Sequence, residues 1–283
     1  MDLPRLLVSF SGGRSSALMA HLVKKHWSHL YDLRFVFANT SFEHHDTLRF
    51  VDAVDREFGL GVIWLEAVAN HTERKASGHR VVNFQTAARD GEVFRDSVAK
   101  YGLPNRTFKS CTRELKLNAI KSYTRSIGWL DHLTAVGIRN DEPKRISPTA
   151  PQQRIIYPLA TTWPTDKQDV LAFFEDFEWN LAIPEHMGNC RACFQKSDRK
   201  LAAVYRDDPA AFDFVAGLER DFSHIGPNNR PGPRKFFRLE RSSADMRNAF
   251  DLAGGHVLPY DDEPGSCSES CEAYQNELDL EPV

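Results

Sequence analysis

The sequence predicts an α/β protein: an open parallel sheet flanked by helices, with a small helical region at the C-terminal end. Three observations carry this. Strand, helix, strand, helix and strand patterns alternate within the first 65 residues, and such alternation favours a parallel sheet with right-handed crossovers. The first strand, residues 5–10 (RLLVSF), is largely apolar, as strands covered on both faces are. It leads directly into Ser11-Gly12-Gly13, where glycine lets the backbone turn tightly and approach a ligand closely.

The elements follow in order. A helix is expected over about 15–25 and a second strand over 33–37, ending at Asn39-Thr40-Ser41. Residues 46–57 are amphipathic, with Leu48, Val51, Val54 and Phe58 on one face. Gly59 and Gly61 end that helix, and 62–65 is a third strand. A short helix is expected within 91–101. The next spans 112–127, with Leu115, Ile120, Tyr123 and Ile127 inward and Gly128 as its stop. Residues 133–138 form a fourth strand and 155–158 a candidate fifth. A helix starting at Thr165, with Gln168 placed for a capping box, runs to about Phe177. Its Phe173, Phe174 and Phe177 are expected to face the core. Helices are expected at 197–206, 209–222 and 242–253, with a Gly/Pro/Asn-rich loop at 225–235. We divide the chain into an α/β domain over 1–205 and a helical extension with an acidic tail over 206–283.

Composition bounds the function. At 283 residues, with 41% hydrophobic and 27% charged residues, the chain can bury a sizeable core. No apolar run reaches the roughly 18–20 residues of a membrane span, and no signal peptide is visible at the N-terminus. A cytoplasmic protein without a membrane partner is therefore expected. The net charge is −3, but residues 261–283 hold eight acids and no Lys or Arg, which leaves 1–260 at +5. A mildly basic body fits an anionic substrate such as a nucleotide, and RNA or DNA as a further partner. A homo-oligomer is compatible with the sequence.

Two motifs carry chemistry. Ser11-Gly12-Gly13-Arg14-Ser15-Ser16 joins a strand to a helix N-terminus, whose unpaired N–H groups and partial positive charge suit phosphate. It is neither a Walker loop nor GxGxxG. The other motif is built on five cysteines: Cys111, Cys190, Cys193, Cys267 and Cys271. Cys190-Arg-Ala-Cys193 has metal-ligand spacing. Soft thiolates at this spacing suit zinc or an iron–sulfur cluster, and the plain alternative is buried thiols without metal. The histidines nearby (His44, His45, His71, His79, His186) show no ligand pattern and are read as local hydrogen-bonding groups. Arg89, Arg106 and Lys109 precede Cys111, either lining an anion pocket or lying on a surface loop.

The run SFSGGRSS resembles the SGGxxS pyrophosphate loop of the adenine-nucleotide α-hydrolase superfamily. Its likeness is greatest to the branch of phosphoadenylylsulfate (PAPS) and adenylylsulfate (APS) reductases. Phe37-Ala38-Asn39-Thr40 with Glu43 and Thr47, then Gly137-Ile138-Arg139-Asn140-Asp141-Glu142, then Tyr157-Pro158-Leu159, continue the likeness over about residues 5–200. The resemblance implies an adenine-nucleotide site on Ser11, Gly12, Gly13, Arg14, Ser15, Ser16, Asn39, Gly137, Arg139 and Glu142, with ATP, PAPS or APS as the nucleotide. Many relatives carry Lys-Asp where Arg14-Ser15 stand, so one acid that could organise Mg²⁺ is missing.

The resemblance also implies a [4Fe-4S] cluster on Cys111, Cys190 and Cys193, with Ser110 in place of a further family cysteine. Either the tail supplies a fourth ligand, through Cys271 or Cys267, or one iron is left open. Arg139 and a tail cysteine, Cys267 or Cys271, are the candidate catalytic groups. The expected reaction is sulfonucleotide reduction by an oxidoreductase, with a thioredoxin-like reductant. ATP-dependent sulfur transfer to tRNA or DNA is the alternative, and a nucleotide-binding redox sensor without turnover is a third possibility. Acids around Cys267 and Cys271 raise a thiol pKa, which favours a ligand or redox role over a nucleophilic one.

Overall fold

The computed structural model describes residues 3–72, 75–226 and 233–253. Its sheet has six strands: β1 (Arg5–Ser9), β2 (Asp32–Asn39), β3 (Ile63–Val68), β4 (Gly78–Val82), β5 (Leu133–Val136) and β6 (Ile155–Ile156). Their order is β4-β3-β2-β1-β5-β6. All pairings are parallel except that of β4, which runs antiparallel to β3 along the edge. Side chains alternate across a strand, and β1 uses both faces. Leu6 and Val8 join one apolar cluster, while Leu7 joins the cluster on the opposite side.

The first face is covered by α1 (Arg14–Trp27), α2 (His45–Phe58) and α5 (Lys167–Phe174). α2 starts where His44 accepts a hydrogen bond from the Asp46 N–H and stops at Gly59, which is left-handed at φ 57°. Phe174 is buried in this core, and Phe173 and Phe177 pack half-buried against it. The opposite face is covered by α4 (Asn118–Ser126), with Ile120 and Tyr123 inward. Further out lie α3 (Glu92–Tyr101), α6 (Asp198–Asp207), α7 (Pro209–Phe222) and α8 (Ser243–Leu252). Phe94, Phe194, Phe212, Val215, Phe236 and Met246 bring these outer elements into a third apolar cluster.

Three local readings are corrected. β4 was not anticipated: its residues are half-exposed, with Val81 at 58%, so no alternation marks it. It is held from one side by His79, whose Nδ1 lies 2.8 Å from the Ser122 hydroxyl and whose ring meets Tyr123. The long helix expected over 112–127 begins as a π-helical stretch, Cys111–Leu117, before α4. The α5 capping box is Asp166 with Asp169, one residue beyond Thr165 and Gln168. The Thr165 hydroxyl is already spent on the Trp163 carbonyl at 2.6 Å.

Glu114 fastens the π-helical stretch to the start of β4. Its side chain is only 4% exposed and accepts from the Ser77 N–H (3.2 Å) and hydroxyl (2.9 Å), Asn118 Nδ2 (2.9 Å) and Arg113 Nε (2.8 Å). Burial pushes this carboxyl upward, but the four donors outweigh it and hold the pKa below the ordinary 4.5. A carboxylate whose folded pKa is depressed contributes stability above its unfolded pKa, and loses it as pH falls through the folded value. Glu114→Gln is therefore expected to cost about 1–3 kcal/mol at neutral pH, as charge-assisted bonds are lost. Thermal melts should show the gap to wild type closing as pH drops below 4.5. A gap independent of pH would refute this account.

Candidate functional site

The strand order reverses between β1 and β5. From β1 the chain builds outward through β2 and β3, then returns to place β5 on β1's other side. Ligands of open α/β sheets bind outside the carboxyl ends of the strands at such a point. The two segments that leave these ends are Ser11–Ser16 and Gly137–Glu142, far apart in sequence and both singled out from it.

The loop after β1 is closed on itself. Ser16 Oγ donates to the Gly13 carbonyl (2.9 Å) and accepts from the Ser11 N–H (3.2 Å) and hydroxyl (3.0 Å). Gly12 sits at φ 84°, where a Cβ would lie 2.8 Å from Thr47 Cγ2. Gly13 is the N-cap of α1 and offers no side-chain cap, and no acid stands in the first turn. The positive end of α1 is thus left facing the crevice. Gly137 makes the close approach possible, since a Cβ there would lie 2.8 Å from Ser16 Cα and 3.0 Å from Ser16 N.

Arg139 crosses from the β5 side to α1. Its Nη1 donates to Ser15 Oγ at 3.1 Å, while Nε and Nη2 reach Asp141 at 2.8 and 3.1 Å. Glu142 accepts from the Arg139 N–H at 3.2 Å and pairs with Arg145. Burial pushes Asp141 upward, but the Arg139 bonds prevail and hold it below the usual carboxylate range. Arg139 itself is 4% exposed. Two cations and two anions close on one another here, so the site's attraction for an anion rests mainly on the α1 N-terminus. Arg14 is turned away from this centre, with Nε donating to Asn180 Oδ1 at 2.7 Å and Nη2 to the Leu181 carbonyl.

Asn39, at the end of β2, has no exposed surface. Its Nδ2 donates to Glu66 Oε1 (2.7 Å) and the Ala88 carbonyl (2.8 Å), and its Oδ1 accepts from the Ser41 N–H (3.1 Å). A ligand reaching this edge meets backbone rather than the Asn39 amide. Glu66 went unnoticed in the sequence, although an acid inside an apolar strand (IWLEAV) is a signal. It also accepts from the Ala88 N–H (2.6 Å) and Arg80 Nε (2.8 Å), tying β4 and residues 87–88 to the sheet. Arg89 is directed to the Ala87 and Phe84 carbonyls and stacks on the Phe84 ring.

The cysteine turn reaches the same end of the sheet. Cys190 forms a β-bridge with Glu43, and the Arg191 N–H donates to the Phe42 carbonyl at 3.0 Å. Thr40, the residue after β2, places its hydroxyl 3.5 Å from Cys190 Sγ and donates to Glu43 at 2.7 Å. Burial pushes the Glu43 carboxyl up. Cys190 and Cys193 are buried in the third apolar cluster, and Cys111 is half-buried against it. Lys196, 2% exposed, clamps the turn by donating to the Arg191 (2.7 Å) and His186 (2.5 Å) carbonyls. Nothing in the sequence marked Lys196, because a lysine is ordinarily solvated. His186 pairs with Asp207 at 2.8 Å, and His71 with Asp96 at 2.8 Å.

The thiol donors suit an iron–sulfur cluster in kind. Among the described residues, however, no three His, Cys, Asp or Glu side chains converge to hold a metal ion. Cys267 and Cys271, named as nucleophile and fourth ligand, lie outside the described residues. Among those described, no helix is long and apolar enough to cross a membrane.

The chain is 32% identical over 292 residues to the uncharacterized nin region protein ORF290 of Escherichia phage lambda, covering 97% of each. It is 29% identical over 137 residues to an uncharacterized protein of Methanocaldococcus jannaschii, covering 48% of this chain and 23% of that one. Among solved structures it matches the U34-tRNA thiolase NcsA from Methanococcus maripaludis with its [4Fe-4S] cluster, at TM-score 0.37 and 15% identity, over 82% of this chain and 77% of that one. Residues 5–154, which hold β1 through β5 and the whole crevice, match the phosphoadenosine phosphosulfate reductase domain, and the chain belongs to that family.

Proposed function

We propose that the protein is an enzyme of sulfur chemistry that reduces a sulfonucleotide bound at the β1–β5 crevice. The observation that carries this is the meeting of the Ser11–Ser16 loop, Gly137 and Arg139 at the topological switch point of a sheet of this family. In this reading the nucleotide's phosphates are received on backbone N–H groups of Gly12, Gly13, Ser15 and Ser16 and on the Ser15 hydroxyl, while Ser11 and the Ser16 hydroxyl hold the loop closed. Arg139 orients the anion, and Glu142 holds Arg139 in place. A tail thiolate, Cys267 or Cys271, attacks the sulfur of PAPS or APS. An S–S bond forms, the S–O bond breaks, and its electron pair leaves on the nucleotide's phosphate. A dithiol reductant of the thioredoxin kind then attacks the cysteine sulfur of the resulting S-sulfonate, releasing sulfite and becoming oxidised. Cys111, Cys190 and Cys193, with Cys271, are the proposed seat of a [4Fe-4S] cluster on donor chemistry alone, and no step is derived through it.

One observation favours a second reading, ATP-dependent sulfur transfer to tRNA or DNA: a cation-lined cavity lies beside the cysteine-bearing segments. Turnover separates the two. Anaerobically purified protein given PAPS or APS with thioredoxin should release sulfite, whereas sulfur transfer releases pyrophosphate from ATP. Sulfite release that survives in the double variant Cys267→Ser/Cys271→Ser would overturn the tail nucleophile. Neither sulfite nor pyrophosphate would leave only a binding protein. Iron and sulfide analysis of the same preparation tests the cluster: a colourless protein without iron overturns it, and about four irons lost on Cys190→Ser supports it.

A further inference from the structure

A cavity of about 660 Å³ lies away from the nucleotide crevice, between residues 105–107 and the segment 233–241 with Asp198. It shares no lining residue with the crevice. Its cations are Arg106, Arg234, Lys235, Arg238 and Arg241, against the acids Asp198 and Glu240. Asp198 takes Arg241 bidentately, at 2.8 Å on both oxygens, and also meets Arg238 Nη2 at 3.3 Å. One carboxylate thus fixes two guanidiniums, Lys235 is held by Asp245 at 2.9 Å just outside the lining, and the five cations still outnumber these three acids. Arg234 lies over the Phe108 ring at 5.0 Å, so a guanidinium plane stands beside an aromatic face. The 238–240 turn is strained: Leu239 and Glu240 are left-handed at φ 58° and 52°, and Leu239 is 86% exposed. Strain of this kind in a residue with a side chain persists where the fold imposes it, often at ligand sites.

The cavity borders both cysteine segments. Its wall at Asn105-Arg106-Thr107 runs on through Ser110 into Cys111, and Arg238 donates to the Lys196 carbonyl, just beyond the Cys190–Cys193 turn, at 2.7 Å. Phe237 packs in the same apolar cluster as Cys190 and Cys193. Fixed guanidiniums, an adjoining aromatic face and a projecting apolar side chain are what a nucleic-acid strand meets on a protein: phosphate contacts that position, and surfaces on which bases stack.

We infer that this cavity docks the sugar–phosphate backbone of a nucleic-acid strand and so presents a substrate base to the cysteine-bearing segments. The inference rests on the sulfur-transfer reading for its choice of occupant. The full-length protein is titrated with a short fluorescein-labelled oligonucleotide of mixed sequence, as RNA and as DNA, without ATP or sulfonucleotide, and anisotropy is read. Arg106 is exposed and makes no ion pair among the described residues, so Arg106→Glu tests the cavity with little risk to the fold. Lys235→Gln is the second variant. Each is expected to weaken binding about tenfold and to reduce the salt dependence by about 0.7 in the log–log slope, one phosphate contact on a single strand.

The RNA and DNA arms identify which strand is bound. Unchanged affinity in both variants overturns the inference, as does the absence of wild-type binding to either strand. Displacement of the oligonucleotide by inorganic phosphate at comparable concentration overturns it too, by making the cavity a site for a free anion. Because no turnover is read, oligonucleotide binding without pyrophosphate release would sink the sulfur-transfer reading and leave the cavity standing. Pyrophosphate release without such binding would do the reverse.

Discussion

Arg139→Ala is expected to reduce turnover on the nucleotide by at least about 100-fold, the usual cost of removing one preorganised donor from a site. It is also expected to lower stability by about 1–3 kcal/mol, as hydrogen bonds to charged groups are lost. The two losses share one cause. Arg139 is almost fully buried, and its guanidinium joins Ser15 on α1 to Asp141 beyond β5. Without it, Glu142, whose side chain is 8% exposed, keeps Arg145 but loses the Arg139 guanidinium 3.6 Å away. Asp141 loses both of its guanidinium bonds. Arg139→Lys keeps the charge but not the fork, so it should recover part of the stability and little of the activity. Sulfite or pyrophosphate release and thermal melts measure the two effects, and calorimetric titration with PAPS and ATP reads nucleotide affinity. Full nucleotide affinity in a folded Arg139→Ala protein would remove Arg139 from the site.

Gly137→Ala should be a strongly damaging single-methyl change in the crevice. The added carbon would meet backbone, Ser16 Cα at 2.8 Å and Ser16 N at 3.0 Å, and backbone cannot swing aside as a side chain can. Either β5 or the N-terminus of α1 must move. Overpacking of this kind costs about 1–3 kcal/mol, and it shifts the very N–H groups proposed to hold phosphate. Gly13→Ala is the internal comparison. A Cβ on Gly13 meets only Ser11 Oγ, at 3.9 Å, so its melting temperature should stay close to wild type. Equal melting temperatures for the two variants would show that the β5–α1 approach is not limiting.

Much of the architecture was legible because its signals are local. β1 is an apolar run followed by two glycines, α2 carries its apolar stripe between His44 and Gly59, and α7 and α8 begin and end within about a residue of the sequence reading. β4 was not legible. Only one of its faces is covered, and its pairing with β3 depends on Glu66 holding Arg80 across the ladder. The capping box of α5 slipped by one residue because the competing use of Thr165, its bond to the Trp163 carbonyl, is a turn contact that no spacing rule records.

The candidate site divides in the same way. Residue types along the chain determined which groups have the chemistry: a Gly-Gly turn and helix N-terminus for phosphate, Arg139 for an anion, thiols at CxxC spacing. Only the tertiary structure decided which of them meet. It brought Gly137 against Ser16, turned Arg14 toward residues 180–181, enclosed Asn39 behind Glu66 and set Cys190 beside Thr40 at the end of β2. The physical reason is reach. Periodicity and turn chemistry act over a few residues, whereas a buried polar group takes whatever partner the packed sheet and helices bring to it, however distant in sequence.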